Sequence, residues 1–452
     1  MAEFLTAVLA VAVVLGFMIL IHEWGHYAAA KLLGVRVEVF SIGFGKRLLG
    51  FRRADTDYRI SAIPLGGYVK MSGENPMDAR TGDPAEFLSH PRWHRFVIAL
   101  AGPAMNILLA IGLLTAVYMV HYEYPVFWDK PAVINFVRRG SPADEVGLQA
   151  GDRISRIDGI ANPTWEQVFY KTWLNPNQPV DITIQRGDRS FNKLVVPNAA
   201  GESQIGFAGW SADESIIVGD MEPNMPAAKA GIREDDKIVA LDGKPLQSIE
   251  DMIDRLQETK DKPIDLTVVR QGQTLQFHLQ PVLASSEPAR EPAHEQRYRI
   301  GFQNTIEMKV MQLPLPEAFK RSLDRNRKDS VMLVELVEKL VQRKISMRTI
   351  SGPIGIAQQA GEAAEEKGWW PLLQLSAAVS LNLGVFNLLP IPILDGGVIL
   401  LLLIEGLMRR DISLRIKERI YQAAFVFLVL FAVMLIYNDL AKTLPGLAGR
   451  LP

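Results

Sequence analysis

The sequence contains no cysteine. That absence excludes disulfides and thiolate ligands, so any bound metal must be held by histidine, carboxylate or water oxygen. An excess of either charge is also missing: 49 Lys and Arg against 50 Asp and Glu leave a formal charge of −1, which argues against a nucleic-acid partner. Ahead of the first apolar run there is no basic stretch, only Glu3. The run therefore reads as a retained helix, not a cleaved secretory signal.

What the chain has in abundance is long apolar runs. Four reach or approach spanning length: Phe4 to Leu20 and onward, Phe96 to Val120, Leu372 to Leu389, and Ala423 to Tyr437, the last extended back toward Ile420. Basic residues crowd the connection from Lys31 to Arg95 and the one holding Arg409, Arg410, Arg415, Lys417 and Arg419. By the positive-inside rule both are cytoplasmic, which leaves the termini and the long region from about His121 to Trp370 outside. In a bacterium that is an inner-membrane protein with a periplasmic middle.

Within the first run lies His22-Glu23-Trp24-Gly25-His26. On a helix, residues four apart share a face, so the two imidazoles can hold one Zn²⁺ while Glu23 stands beside it to activate a water. A glutamate in such a span costs at least ~2.5 kcal/mol without a partner, which weighs against an idle polar face. From Phe4 to His22 is ~27 Å of helix, so the motif sits at the inner end of the span, within reach of the cytosol.

Val35 to Phe40 and Tyr58 to Ile63 read as short strands, punctuated by Gly43-Phe44-Gly45 and Pro64-Leu65-Gly66-Gly67. They predict a small sheet at the membrane boundary, either an ordinary hairpin or an edge for an unwound substrate to pair with. The second span opens with Ala101-Gly102-Pro103-Ala104-Met105-Asn106; its small residues permit close helix packing, and Asn106 needs a partner in the bundle.

The middle region carries a repeat. Ser141 to Ile154 followed by Ile157-Asp158-Gly159 aligns without a gap on Met225 to Ile238 followed by Leu241-Asp242-Gly243. Each copy precedes a helical stretch (Trp165 to Thr172; Ile249 to Glu258) and a β-rich one (Val180 to Gln185; Ile264 to Arg270), giving two α+β modules. They resemble PDZ domains of bacterial proteases. The second copy departs at Asp235, where the first has Gly151. The resemblance implies peptide capture by strand addition, with Ile205-Gly206-Phe207 and Ile300-Gly301-Phe302 lining the grooves; a spacer or size filter is the other reading. Ala284 to Glu295 reads as a flexible loop, and Pro316 to Lys344 as an amphipathic helix.

After Trp369-Trp370, an interfacial pair, the third span ends in Asn382-Leu383-Gly384-Val385-Phe386-Asn387-Leu388-Leu389-Pro390-Ile391-Pro392-Ile393-Leu394-Asp395-Gly396-Gly397. Catalytic zinc sites usually take three protein ligands, and Asp395 is the best remaining candidate. It is acidic in apolar surroundings, at the depth of the histidines, with Pro and Gly able to aim it. Asn387 is a candidate donor to a developing oxyanion, and Asn382 a candidate support for substrate backbone; packing is the competing role for each.

Together these motifs resemble the site-2 protease family. The resemblance implies zinc held by His22, His26 and Asp395 with Glu23 as base. It also implies substrates that are single-span membrane proteins, of the anti-sigma-factor type, or leftover signal peptides. The expected fold is a multi-span α-helical membrane protein with four transmembrane helices, a membrane-boundary β-sheet and two periplasmic PDZ-like domains. The expected divisions are a first helix with the zinc motif (1–34), a boundary region (35–95), a second helix (96–120), modules at 127–215 and 216–305, a periplasmic amphipathic region (306–368), a third helix with the Asn/Asp motif (369–398), a cytoplasmic connection (399–419) and a fourth helix (420–440). Expected partners are the lipid bilayer, the spanning substrate and a peptide in the PDZ grooves. The alternative is a membrane-anchored PDZ adaptor with a vestigial metal site.

Overall fold

A computed structural model describes residues 2–74, 82–201, 203–284, 296–366 and 368–443. The chain divides into two compact units, one formed by Met1–Tyr122, Met311–Glu335 and Ser351–Pro452, the other by Glu123–Val310 and Leu336–Ile350.

In the first unit, the helix Ala2–Leu32 carries the His motif near its end, and the helix Arg92–Val120 packs against it. Three stretches among the described residues are long and apolar enough to cross a membrane: Ala12–Leu32, Arg92–Val120 and Leu414–Ala441. The third expected span is shorter, an 18-residue helix Trp370–Asn387 that also packs on Arg92–Val120. It stops where Pro390 and Pro392 forbid helix in the residues before them. A second helix, Asp395–Met408, then occupies much of the expected connection 399–419, because Val398 to Ile404 is apolar and free of breakers. The last helix, Leu414–Thr443, is largely exposed, and its Asp439 carboxylate accepts from the backbone N–H of Gly352, Ile354 and Gly355 at the start of the helix Pro353–Glu365.

The boundary sheet is larger than two short strands. Val37–Arg53 pairs twice with Thr56–Met71: Phe40 lies opposite both Val69 and Tyr58, and Tyr58 also opposite Phe51. The chain swings within each strand at Gly43, Gly45 and Gly66, all at positive φ. Four rungs result, in the order 67–71, 37–42, 57–60 and 49–53, with the first and last as outer edges.

In the second unit, each copy of the repeat forms one module around its own core. The first gathers Ile154, Ile157, Val168, Val180, Ile182 and Ile184; the second gathers Ile238, Leu241, Met252, Ile264, Leu266 and Val268. Observed helices are Trp165–Trp173 and Ile249–Thr259, and observed strands Val180–Arg186 and Ile264–Arg270. Asp235 takes φ +67°, the left-handed conformation that Gly151 takes at +91°, and both amides donate equivalent bonds, to Val218 O and Ile134 O, each at 2.8 Å. Aspartate tolerates that conformation, so the turn is kept. In both modules the following aspartate is buried and clamped by an arginine, Asp152 by Arg186 and Asp236 by Arg270, each through bonds of 2.6 and 2.7 Å. Ile205–Phe207 pairs with Asn198–Ala200, and Phe302–Thr305 with Ile216–Met221. The expected loop Ala284 to Glu295 lies outside the described residues except for Ala284.

Candidate metal centre

The helix Ala2–Leu32 turns His22 and His26 toward the second helix, and two glycines let the helices touch. A Cβ on Gly25 would lie 2.4 Å from Ala101 O, and one on Gly102 would lie 2.3 Å from His26 Nε2. The sheet closes the other side, since a Cβ on Gly67 would stand 3.4 Å from Glu23 Cγ.

Hydrogen bonding sets the ring tautomers. His26 Nδ1 is 2.8 Å from Ile98 O, and a carbonyl only accepts, so Nδ1 carries the proton and Nε2 presents a lone pair. His22 Nδ1 lies 3.2 Å from the Asn106 side-chain amide, whose Oδ1 is buried without a partner. Exchanging the amide oxygen and nitrogen lets Oδ1 accept from His22 Nδ1–H, which fixes that tautomer and leaves His22 Nε2 as a lone pair as well. Asn106 thus orients the His22 ring: the partner that the sequence required is His22, and the contact is more specific than packing.

Asp395 reaches the pair from a distant part of the chain. It is the first residue of the helix Asp395–Met408, aimed by a bend in which Ile393 adopts φ +91°. Gly396 and Gly397 are pressed against the bend's own backbone: a Cβ on either would meet a carbonyl oxygen at 2.3 Å. A β-branched residue at positive φ is strained, which is common where function dictates geometry.

The donors converge. His22 Nε2 is 3.2 Å from His26 Nε2 and 3.1 Å from Asp395 Oδ2, and His26 Nε2 is 3.4 Å from Asp395 Oδ1. Four donors around zinc at 2.0–2.1 Å stand about 3.3 Å apart, so the spacing suits one ion with a fourth position open. Two lone pairs and a carboxylate facing each other repel unless a proton or a metal cation lies between them, and the donor set of two imidazoles and a carboxylate is one that zinc accepts.

A cavity of about 580 Å³ opens onto this point, lined by Glu23, Tyr68, Val69, Met71 and Asn387 among others. Glu23 is half-buried and accepts from the Val69 backbone N–H. Asn387 thus shares the cavity with the three donors, whereas Asn382, on the helix Trp370–Asn387, is not among the lining residues. A further feature went unread in the sequence: Glu405, 1% exposed, pairs with Lys417 at 2.7 Å on the cavity wall. In the sequence Lys417 reads as one of several topogenic charges.

The profile of peptidase family M50 matches residues 10–431. The chain belongs to this family. It is 31% identical to the regulator of sigma-E protease RseP of Escherichia coli (strain K12), over 98% of this chain and 100% of that protein. It is 29% identical to a Neisseria meningitidis serogroup A protein whose name includes zinc metalloprotease, over 94% of this chain and 97% of that one. The PDZ domain of the SdrC-like protein of Listeria monocytogenes is 17% identical, covers 21% of this chain and 90% of its own, and has a TM-score of 0.17, too slight to carry an argument. As a member of peptidase family M50, the chain is a zinc metalloprotease of the membrane.

Proposed function

We propose that this M50 peptidase cleaves peptide bonds inside the transmembrane segments of single-span membrane proteins, anti-sigma factors or remnant signal peptides among them. His22, His26 and Asp395 are its zinc ligands. The observation that carries the reading is the meeting of these three side chains, each offering a donor atom within 4.8 Å of the others, beneath a cavity that also holds Glu23.

Bound zinc supplies a Lewis acid that brings the pKa of water toward ~7. Glu23 takes the proton from the attacking water and returns it to the leaving amine. Asn387, on the cavity wall, is placed to donate to the oxygen that gains charge, while Asn382, outside the lining, is assigned to holding the unwound substrate backbone. The outer edge 67–71 of the boundary sheet has Tyr68, Val69 and Met71 in the cavity lining, so an extended substrate strand added there would pass the donors.

In the bilayer we assign four spans: the three long apolar helices and Trp370–Asn387, ~27 Å long. Both termini and the PDZ-like modules are placed in the periplasm of the bacterial inner membrane and the metal near the cytoplasmic face, from the distribution of Lys and Arg in the short connections. The modules admit or hold the substrate's extramembrane end.

The test is incubation of the purified protein in detergent with a single-span model peptide, with and without a zinc chelator, followed by mapping of the cut. Cleavage within the apolar segment, lost on chelation and restored by zinc, is the expected result. Glu23→Gln should keep the fold and the metal and lower the rate at least ~10²-fold. Wild-type turnover in that variant would remove Glu23 from the role of base.

A further inference from the structure

The outer edge of the boundary sheet that lies away from the metal combines two features that water does not favour together. Leu48, Leu49 and Phe51 are 60, 68 and 62% exposed. Interleaved with them are Lys46, Arg47, Arg52 and Arg53. Arg47 pairs with Asp57 at 3.2 Å, and Arg59 reaches the same carboxylate at 3.8 Å. Lys46, Arg52 and Arg53 are exposed and have no ion-pair partner among the described residues, and Asp55 is the one carboxylate in the turn between the strands.

Cations alone on an edge strand would serve to deter pairing with other chains. That purpose is defeated by three large apolar side chains on the same strand, which invite contact. A surface that is both apolar and cationic fits the boundary between acyl chains and headgroups, where leucine and phenylalanine enter the apolar layer and lysine and arginine extend back to phosphate. The sheet is also where such a boundary should be: its first strand starts at Val37, directly after the apolar helix that ends at Leu32.

We propose that the edge Lys46–Arg53 is an anionic-lipid site, in which Leu48, Leu49 and Phe51 insert into the leaflet and Lys46, Arg52 and Arg53 hold phospholipid headgroups of net negative charge. The proposal rests on the reading of the first helix as a membrane span. It adds a lipid preference that nothing in the metal centre requires. The edge that lines the catalytic cavity, 67–71, is separated from it by two intervening rungs, so lipid can occupy one side of the sheet while substrate uses the other. Each basic side chain near an anionic surface contributes about fivefold to the association.

The absence of cysteine allows a clean probe. The full-length Leu49→Cys variant, labelled with an environment-sensitive dye, is reconstituted in phosphatidylcholine vesicles containing a trace of spin-labelled phosphatidylglycerol or of spin-labelled phosphatidylcholine. The expected result is quenching by both lipids, several-fold stronger with phosphatidylglycerol, with that preference erased by high salt. In the K46Q/R52Q/R53Q background quenching should persist while the preference disappears. Equal quenching by the two lipids without the substitutions, or a preference that survives them, overturns the proposal while leaving the membrane span intact. A dye untouched by either lipid would sink the proposal together with insertion of the sheet. If inorganic phosphate at low concentration abolishes the preference at constant ionic strength, the site reads a free anion and the lipid assignment fails. The salt response of the protein without the three substitutions keeps the test decisive should the triple variant not fold.

Discussion

Gly102→Ala is the sharpest test of the metal centre, because it changes one hydrogen to a methyl on a residue that is not a ligand. The new Cβ would lie 2.3 Å from His26 Nε2, 2.6 Å from Cε1 and 2.8 Å from Cδ2, so it meets the flat of the ring and not just one atom. Contact becomes ordinary at 3.4 Å, and the nitrogen must therefore retreat by 1.1 Å, the difference between 3.4 and 2.3. A zinc–nitrogen bond tolerates only ~0.2 Å. The ring can swing, at the cost of its bond to Ile98 O, so the strain on the fold stays within the ~1–3 kcal/mol usual for overpacking. The expected signature is loss of zinc by at least about tenfold with cleavage lost in parallel, while the melting transition moves by only a few degrees. Zinc is read by elemental analysis of the purified protein and stability by thermal denaturation in the same detergent. Gly112→Ala, on the same helix with nothing within 4 Å of the new methyl, is the control and should retain both metal and activity. Stoichiometric zinc and normal cleavage in Gly102→Ala would refute the reasoning, and so would equal losses in the two variants.

Other outcomes follow from single contacts. Asn106→Ala removes the group that orients His22 and should weaken zinc about 10–100-fold in competition with a chelator, whereas Asn106→Asp, which keeps an acceptor, should recover most of it. Arg270→Met leaves the Asp236 carboxylate, 1% exposed, without its cation and should destabilise the second module by roughly 3 kcal/mol; hydrogen exchange should quicken in 216–279 and not in the first module. Glu214, in the link between the modules, is pushed from the ordinary value of 4.5 up to about 7 by burial and by the nearby charge of Glu250. The folded state therefore holds a proton that the unfolded state releases first, so stability should be greatest below pH 4.5 and decline as the pH rises to about 7. Glu214→Gln should flatten that part of a melting-temperature profile, and an unchanged slope would count against the assignment.

Much of this architecture was legible because the informative residues violate their surroundings. His22, Glu23, His26 and Asp395 are polar groups in apolar runs, and the cost of placing them there is what made them stand out. The module repeat was readable from spacing, and the helices and strands expected at 165–172, 249–258, 180–185 and 264–270 fall within a residue of expectation, since alternation and periodicity suffice for small α+β units. The strand expected at Ile300-Gly301-Phe302, by contrast, starts only at Phe302 because Gly301 turns at positive φ. Asp235 kept the turn because aspartate, like glycine, enters the left-handed region. What periodicity could not reveal was partnership across the chain: Asn106 with His22, Glu405 with Lys417, and the two Arg–Asp clamps each depend on residues brought together only by folding. The doubled pairing of the boundary sheet was hidden for a related reason. Its strands bend at glycines that, in sequence, look like ordinary punctuation, and a bend within a strand has the same local signal as its end.

The broken helix that delivers Asp395 has a consequence for how such a chain is made. Histidines from the opening segment wait, incomplete, until a carboxylate from the closing third has been synthesised and threaded into place. On the proposed ligand set, a copy that stops short of Asp395 lacks the third donor of the metal site. On that same reading, the site is completed only when the helix Asp395–Met408 has taken its place beside the first two.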